Sequence, residues 1–170
     1  MLAPLAFVLV LSFGINKLSA QTAQILYWAF AATMGASLST IFLAYTPTSI
    51  VRVFFISAAT FGAMSLYGYT TQRNLMSWGS FLFMGLIGII IAMIVNIFLA
   101  SAALDFAISA IGVLVFVGLT AYDTQRIRNE YAATDGTEVA TKKAVFGALR
   151  LYLDFINLMM MMLRLFGVRR

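Results

Sequence analysis

Two aspartates sit where an apolar chain carries almost no other charge: Asp123 in Gly118-Leu-Thr-Ala-Tyr-Asp-Thr-Gln-Arg126, and Asp154 in Ala148-Leu-Arg-Leu-Tyr-Leu-Asp-Phe-Ile-Asn-Leu158. An acid inside a bilayer is costly and marks a functional site by default. If the two carboxylates meet, like-charge repulsion and desolvation disfavour the doubly ionised state, so the pair titrates as a unit near physiological pH and a proton can switch it. A hard cation such as Ca2+ prefers oxygen ligands. Asp123 and Asp154, with Asn157, Thr120 or backbone carbonyls, would form a weak Ca2+ site suited to passage, not storage.

Each acid also has a bland reading. At about 100° per residue, Arg150, Asp154, Asn157 and Arg164 fall on one stripe of a helix, and a polar stripe on a spanning helix must face protein or water. Arg150 and Asp154, four apart, also read as a pair that neutralise one another and only fix helix register. Such a cation would also stabilise the charged form of Asp154 and compete with Ca2+. Thr120, Asp123 and Arg126 recur at steps of three, giving Asp123 a local cation too. Its place near a helix end allows a simple reach to the interface.

The elements that must position these residues follow from composition. With 62% hydrophobic and 10% charged residues, the chain is an integral membrane protein. No linker divides residues 1–170, which form a single helical domain. There is no Cys and no His, which removes disulfides, thiolates, imidazole bases and the usual zinc sites; no cofactor is implied. Six apolar segments are expected: Leu2 to Ile15, Gln24 to Tyr45, Ile50 to Thr70, Leu75 to Ala100, Phe106 to Arg126 and Ala144 to Phe166. The first is short and has a second reading as a signal peptide cleaved after Leu18-Ser-Ala20, although no basic residue precedes its apolar core. Strand-type alternation is absent, which excludes a β-barrel.

Lys17, Arg73, Arg126, Arg128, Lys142 and Lys143 fall on one side of these spans, and Arg52, Arg164, Arg169 and Arg170 on the other. The positive-inside rule makes the first side cytoplasmic, with the loop from Ile127 to Lys143. The net charge of +5 is read as topology, because its scattered basic residues form no nucleic-acid-binding patch. Ala59 with Ala63, and Gly88 with Ala92, are candidate helix contacts. Met159 to Met162 point in four directions and read as packing, not metal ligation. Trp28, Trp78, Tyr45 and Tyr69 read as interface anchors. Asn96 reads as an interhelical hydrogen bond or a pore-lining group.

Ala121-Tyr-Asp-Thr-Gln125, Ala148-Leu-Arg-Leu-Tyr-Leu-Asp-Phe-Ile-Asn-Leu158 and Leu163-Arg-Leu-Phe-Gly167 resemble the signature of the Bax inhibitor-1 family. The resemblance implies an all-α, polytopic, seven-helix bundle around a central C-terminal helix, with about six of the helices here and the family's first one missing. It implies a bacterial inner membrane protein acting as a pH-sensitive calcium leak channel, with Asp123 and Asp154 as the gating pair. It also implies a possible partner, a membrane-anchored AAA+ protease that a non-conducting member would restrain. Arg150 departs from the family, and no arginine matches the basic latch of its second helix; Lys17 is the nearest candidate. An enzyme reading, an intramembrane aspartyl protease, lacks the expected Gly-x-Gly before Asp154 and any Pro-Ala-Leu element.

Overall fold

The computed structural model of the protein describes residues 10–14 and 16–170, and the described chain is helical throughout apart from short links. Helix α1 spans Ala20–Leu38, a single turn α2 Ile41–Ala44, and α3 Pro47–Thr70. A 3-10 turn, Leu75–Trp78, leads into α4, Gly79–Leu99; α5 spans Ala102–Glu130 and α6 Thr137–Phe166. Five of these units, with α1 and α2 counted together and the 3-10 turn counted with α4, are long and apolar enough to cross a membrane. The expected segment Leu2 to Ile15 lies outside the described residues except for 10–14, which are helical.

Local signals explain most boundaries. Ser19 and Ser101 cap α1 and α5, accepting from Thr22 N at 3.2 Å and Leu104 N at 3.3 Å, which satisfies backbone donors no helix can pair internally. Pro47 opens α3, where a missing N–H costs nothing. The span expected from Gln24 to Tyr45 is broken between α1 and α2. There the hydroxyls of Ser39 and Thr40 bond back to Ala36 O and Ser37 O at 2.7 and 2.9 Å, a competition that bends helices.

The last two helices are longer than their apolar cores. The loop expected from Ile127 to Lys143 shrinks to residues 131–136, because the charged residues extend the helices beyond the apolar layer. Arg126 and Glu130 pair one turn apart at 2.9 Å, as do Lys142 and Glu138 at 3.2 Å, the spacing that supports an exposed helix end.

Helix α6 is the most buried of the five and is packed by α1, α3 and α5, while α4 touches mainly α5. The expected central C-terminal helix is therefore present. Its methionines pack as expected: Met159, Met161 and Met162 are buried, and Ser57 donates to Met162 Sδ at 3.2 Å. Because α6 is unbroken, the C-terminus lies at the end opposite the 131–136 loop. There Thr46 N donates to Val168 O and Arg170 N to Ala44 O. Tyr45 belongs to this junction, buried against Gly167, and is not an interface anchor. Asn96 ties the end of α4 to the cap of α5, accepting from Ser101 N at 3.0 Å across the left-handed Ala100, and lines a cavity beside Asp105 and Arg164.

Close helix approach occurs at residues other than those expected. Ala59 and Ala63 are exposed, and a Cβ on Gly88 would meet nothing. The close approach is at Gly68, where a Cβ would fall on the Ala121 backbone carbonyl of α5. Gly68→Ala should therefore cost about 1–3 kcal/mol, the usual cost of overpacking a tight contact. It should lower the thermal midpoint in detergent, with Gly88→Ala unchanged. Equal midpoints for the two variants would refute this packing.

Candidate functional site

Asp154 sits near the middle of α6 and is 6% exposed. Asp123 lies on α5, which runs about two further turns to Glu130, so this acid is set roughly 10 Å inside the helix end. The neighbouring antiparallel helices bring both acids to one cavity of about 580 Å3, where the carboxylates face and act on one another. Asp154 Oδ2 is buried without a protein hydrogen-bond partner. Among the described residues no third acid joins them to complete a metal-binding cluster.

The arginines take other partners. Arg150, expected to pair with Asp154, reaches Glu130 Oε1 at 3.4 Å and lies over the Phe146 ring at 4.3 Å. Arg126, expected beside Asp123, binds the same Glu130 oxygen at 2.9 Å. A guanidinium gains more from a partly exposed carboxylate and an aromatic face at a wetter depth than from a deeply buried acid. Both arginines still line the cavity. Glu130, which sequence reasoning passed over, thus gathers the local positive charge away from the acid pair. Half of this was legible in the Arg126–Glu130 spacing; the Arg150 contact, across helices, was not.

The polar stripe of α6 divides. Arg150, Asp154 and Asn157 line the cavity, with Asn157 Nδ2 donating to Leu153 O at 2.9 Å. Arg164 belongs to the opposite end, where it and Arg169 bind Asp105 at 3.4 and 3.6 Å. Thr120 does not reach the site: it is fully buried and donates to Phe116 O of its own helix at 2.7 Å. The wall facing the acids includes Tyr122, Met76 and Gly79, none expected from the sequence.

The profile of the family described as inhibitor of apoptosis-promoting Bax1 matches residues 1–170. The chain belongs to the Bax inhibitor-1 family. Among its relatives, the inner membrane protein YbhL of Escherichia coli K12 is 53% identical over 171 residues, covering 99% of this chain and 73% of that protein. An uncharacterised protein of Rickettsia prowazekii is 52% identical over 170 residues, 100% of this chain and 72% of the relative. A membrane protein of Streptococcus pyogenes is 41% identical over 154 residues, 91% of this chain and 67% of its own. This Bax inhibitor-1 member is a multi-pass protein of the bacterial inner membrane, as its five apolar spans and its likeness to YbhL require.

A double-mutant cycle in the Bax inhibitor-1 chain tests the arginine assignment. Glu130→Gln with Arg150→Gln should show a coupling of about 0.5–1 kcal/mol in detergent unfolding, the range for partly exposed ion pairs. Asp154→Asn with Arg150→Gln should show less. The reverse order would restore the Arg150–Asp154 pair as the real contact.

Proposed function

We propose that this protein is a pH-sensitive calcium leak channel in which Asp123 and Asp154 form the protonatable gate and the weak oxygen site that a passing Ca2+ contacts. The observation that carries the reading is the meeting of two carboxylates from different spanning helices in one cavity, with Asp154 Oδ2 free of any protein donor. An intramembrane acid in that position is stabilised by a proton, a cation or water. Ca2+ is the transported ion here and not a resident metal.

Charge balance favours a cation over an anion. Glu130 engages both Arg126 and Arg150 and offsets one of their two positive charges, so the two ionised aspartates leave the cavity with one negative charge in excess. The volume of about 580 Å3 leaves space for several waters, each occupying about 30 Å3 in the liquid, so an ion need not shed its whole shell. One proton on the pair removes the repulsion between the carboxylates and weakens the attraction for Ca2+, which couples occupancy and spacing of α5 and α6 to pH. Nothing in this cycle makes or breaks a covalent bond.

Calcium flux into dye-loaded liposomes carrying the purified protein tests the reading. Flux should vary with pH between about 6 and 8 as the coupled pair takes up or loses a proton, and either Asp123→Asn or Asp154→Asn should abolish that variation. Flux equal to that of empty liposomes, with helicity intact, would overturn the channel and favour a non-conducting regulator of a membrane-anchored AAA+ protease.

A further inference from the structure

Gln125 lies two residues beyond Asp123 and therefore about 200° around α5, on a face turned away from the acid pair. It is 2% exposed and spends its whole amide on one short segment: Nε2 donates to Arg73 O at 2.8 Å, and Oε1 accepts from Leu75 N at 2.7 Å. That segment is the link between α3 and α4. Beyond this clasp, the link is tied mostly to itself, through Asn74 Oδ1 accepting from Met76 N and Thr71 Oγ1 accepting from Arg73 N. A buried amide with both groups paired holds its partners firmly, since leaving either unpaired carries a desolvation penalty.

The segment held in this way forms a wall. Met76 and Gly79 line the acidic cavity, while Leu75 and Trp78 line a second cavity of about 230 Å3 on the other side, toward the Arg73 end. Tyr122 borders both cavities. Its ring is seated against Gly79, where a Cβ would collide with the phenol. Tyr122 and Gln125, three apart on α5, share the face that meets this wall.

We propose that Gln125 is a positioning residue: its clasp on Arg73 and Leu75 keeps the Leu75–Gly79 wall seated against Tyr122, and so keeps the acidic cavity separate from the second cavity. Release of the clasp lifts the 3-10 turn and joins the two spaces into one path toward the end that carries the 131–136 loop. The stretch that supplies the acid thereby also supplies the latch of the wall beside it. The inference concerns access to the cavity and holds whether or not the chain conducts calcium.

The natural absence of cysteine makes access directly measurable. Ala121 lines the second cavity behind the turn and is 3% exposed, so Ala121→Cys reports lifting of the wall. Ser57, 0% exposed between α3 and α6, reports general loosening as Ser57→Cys. Maleimide labelling of the purified full chain in detergent should be slow at both sites. Adding Gln125→Leu should speed labelling at Ala121→Cys about tenfold or more, the scale set by two buried hydrogen bonds that no longer hold the closed arrangement, and leave Ser57→Cys slow. Gly79→Ala, which displaces Tyr122 without touching the clasp, should do the same. An Ala121→Cys rate unchanged by Gln125→Leu, or a rise at both reporter sites together, overturns the proposal.

Discussion

A carboxylate held in the middle of an apolar helix must be stabilised by a proton, a cation, a donor or water, and the arrangement around Asp154 follows from that demand. The nearest cation in sequence is Arg150, one turn away, yet it leaves the acid for Glu130 and the face of Phe146. Glu130 is within reach only because α5 runs on past Asp123 and α6 begins at Thr137. The length of two helices beyond the apolar layer therefore decides which charges the acid pair feels.

Helix α5 packs closely against α3, α4 and α6. Around it, a side chain on Gly68 would strike the Ala121 backbone, one on Gly112 would strike Met161, and one on Gly118 would strike Leu82. Inside a bilayer the lipid tails are as apolar as leucine, so helices associate through close packing and hydrogen bonds more than through exclusion of water. Glycine on either partner permits that closeness. The flexible thioethers of Met161 and Met162 then fill the remaining gaps on α6.

The two ends of the bundle are tied differently. At the Asp105 end, Arg164 and Arg169 converge on one carboxylate and Val168 N donates to Ser49 Oγ at 2.9 Å, fastening the C-terminal tail across α2, α3 and α5. At the other end, side chains hold backbone groups, Gln125 on Arg73 and Leu75, Arg128 on Tyr69 O and Lys143 on Glu130 O, beside the ion pairs of Arg150 with Glu130 and Lys143 with Asp135.

Membrane class, helical fold, the central last helix and the pair Asp123 with Asp154 were legible in the sequence. Hydropathy over about 20 residues and isolated acids are local properties that survive without knowledge of neighbours. What the sequence misassigned was several of the partners that depend on how helices face one another. Arg150 was matched to Asp154 by spacing, Thr120 was placed in the site by periodicity, and Gly88 with Ala92 stood as a helix contact while the tight approach is at Gly68. Spacing along one helix says which side chains share a face, but not what stands opposite. The tertiary structure alone decided that Glu130 takes Arg150 and that Gln125 clasps Arg73 and Leu75. Both choices rest on groups far apart in the chain, brought together by packing whose geometry no single helix contains.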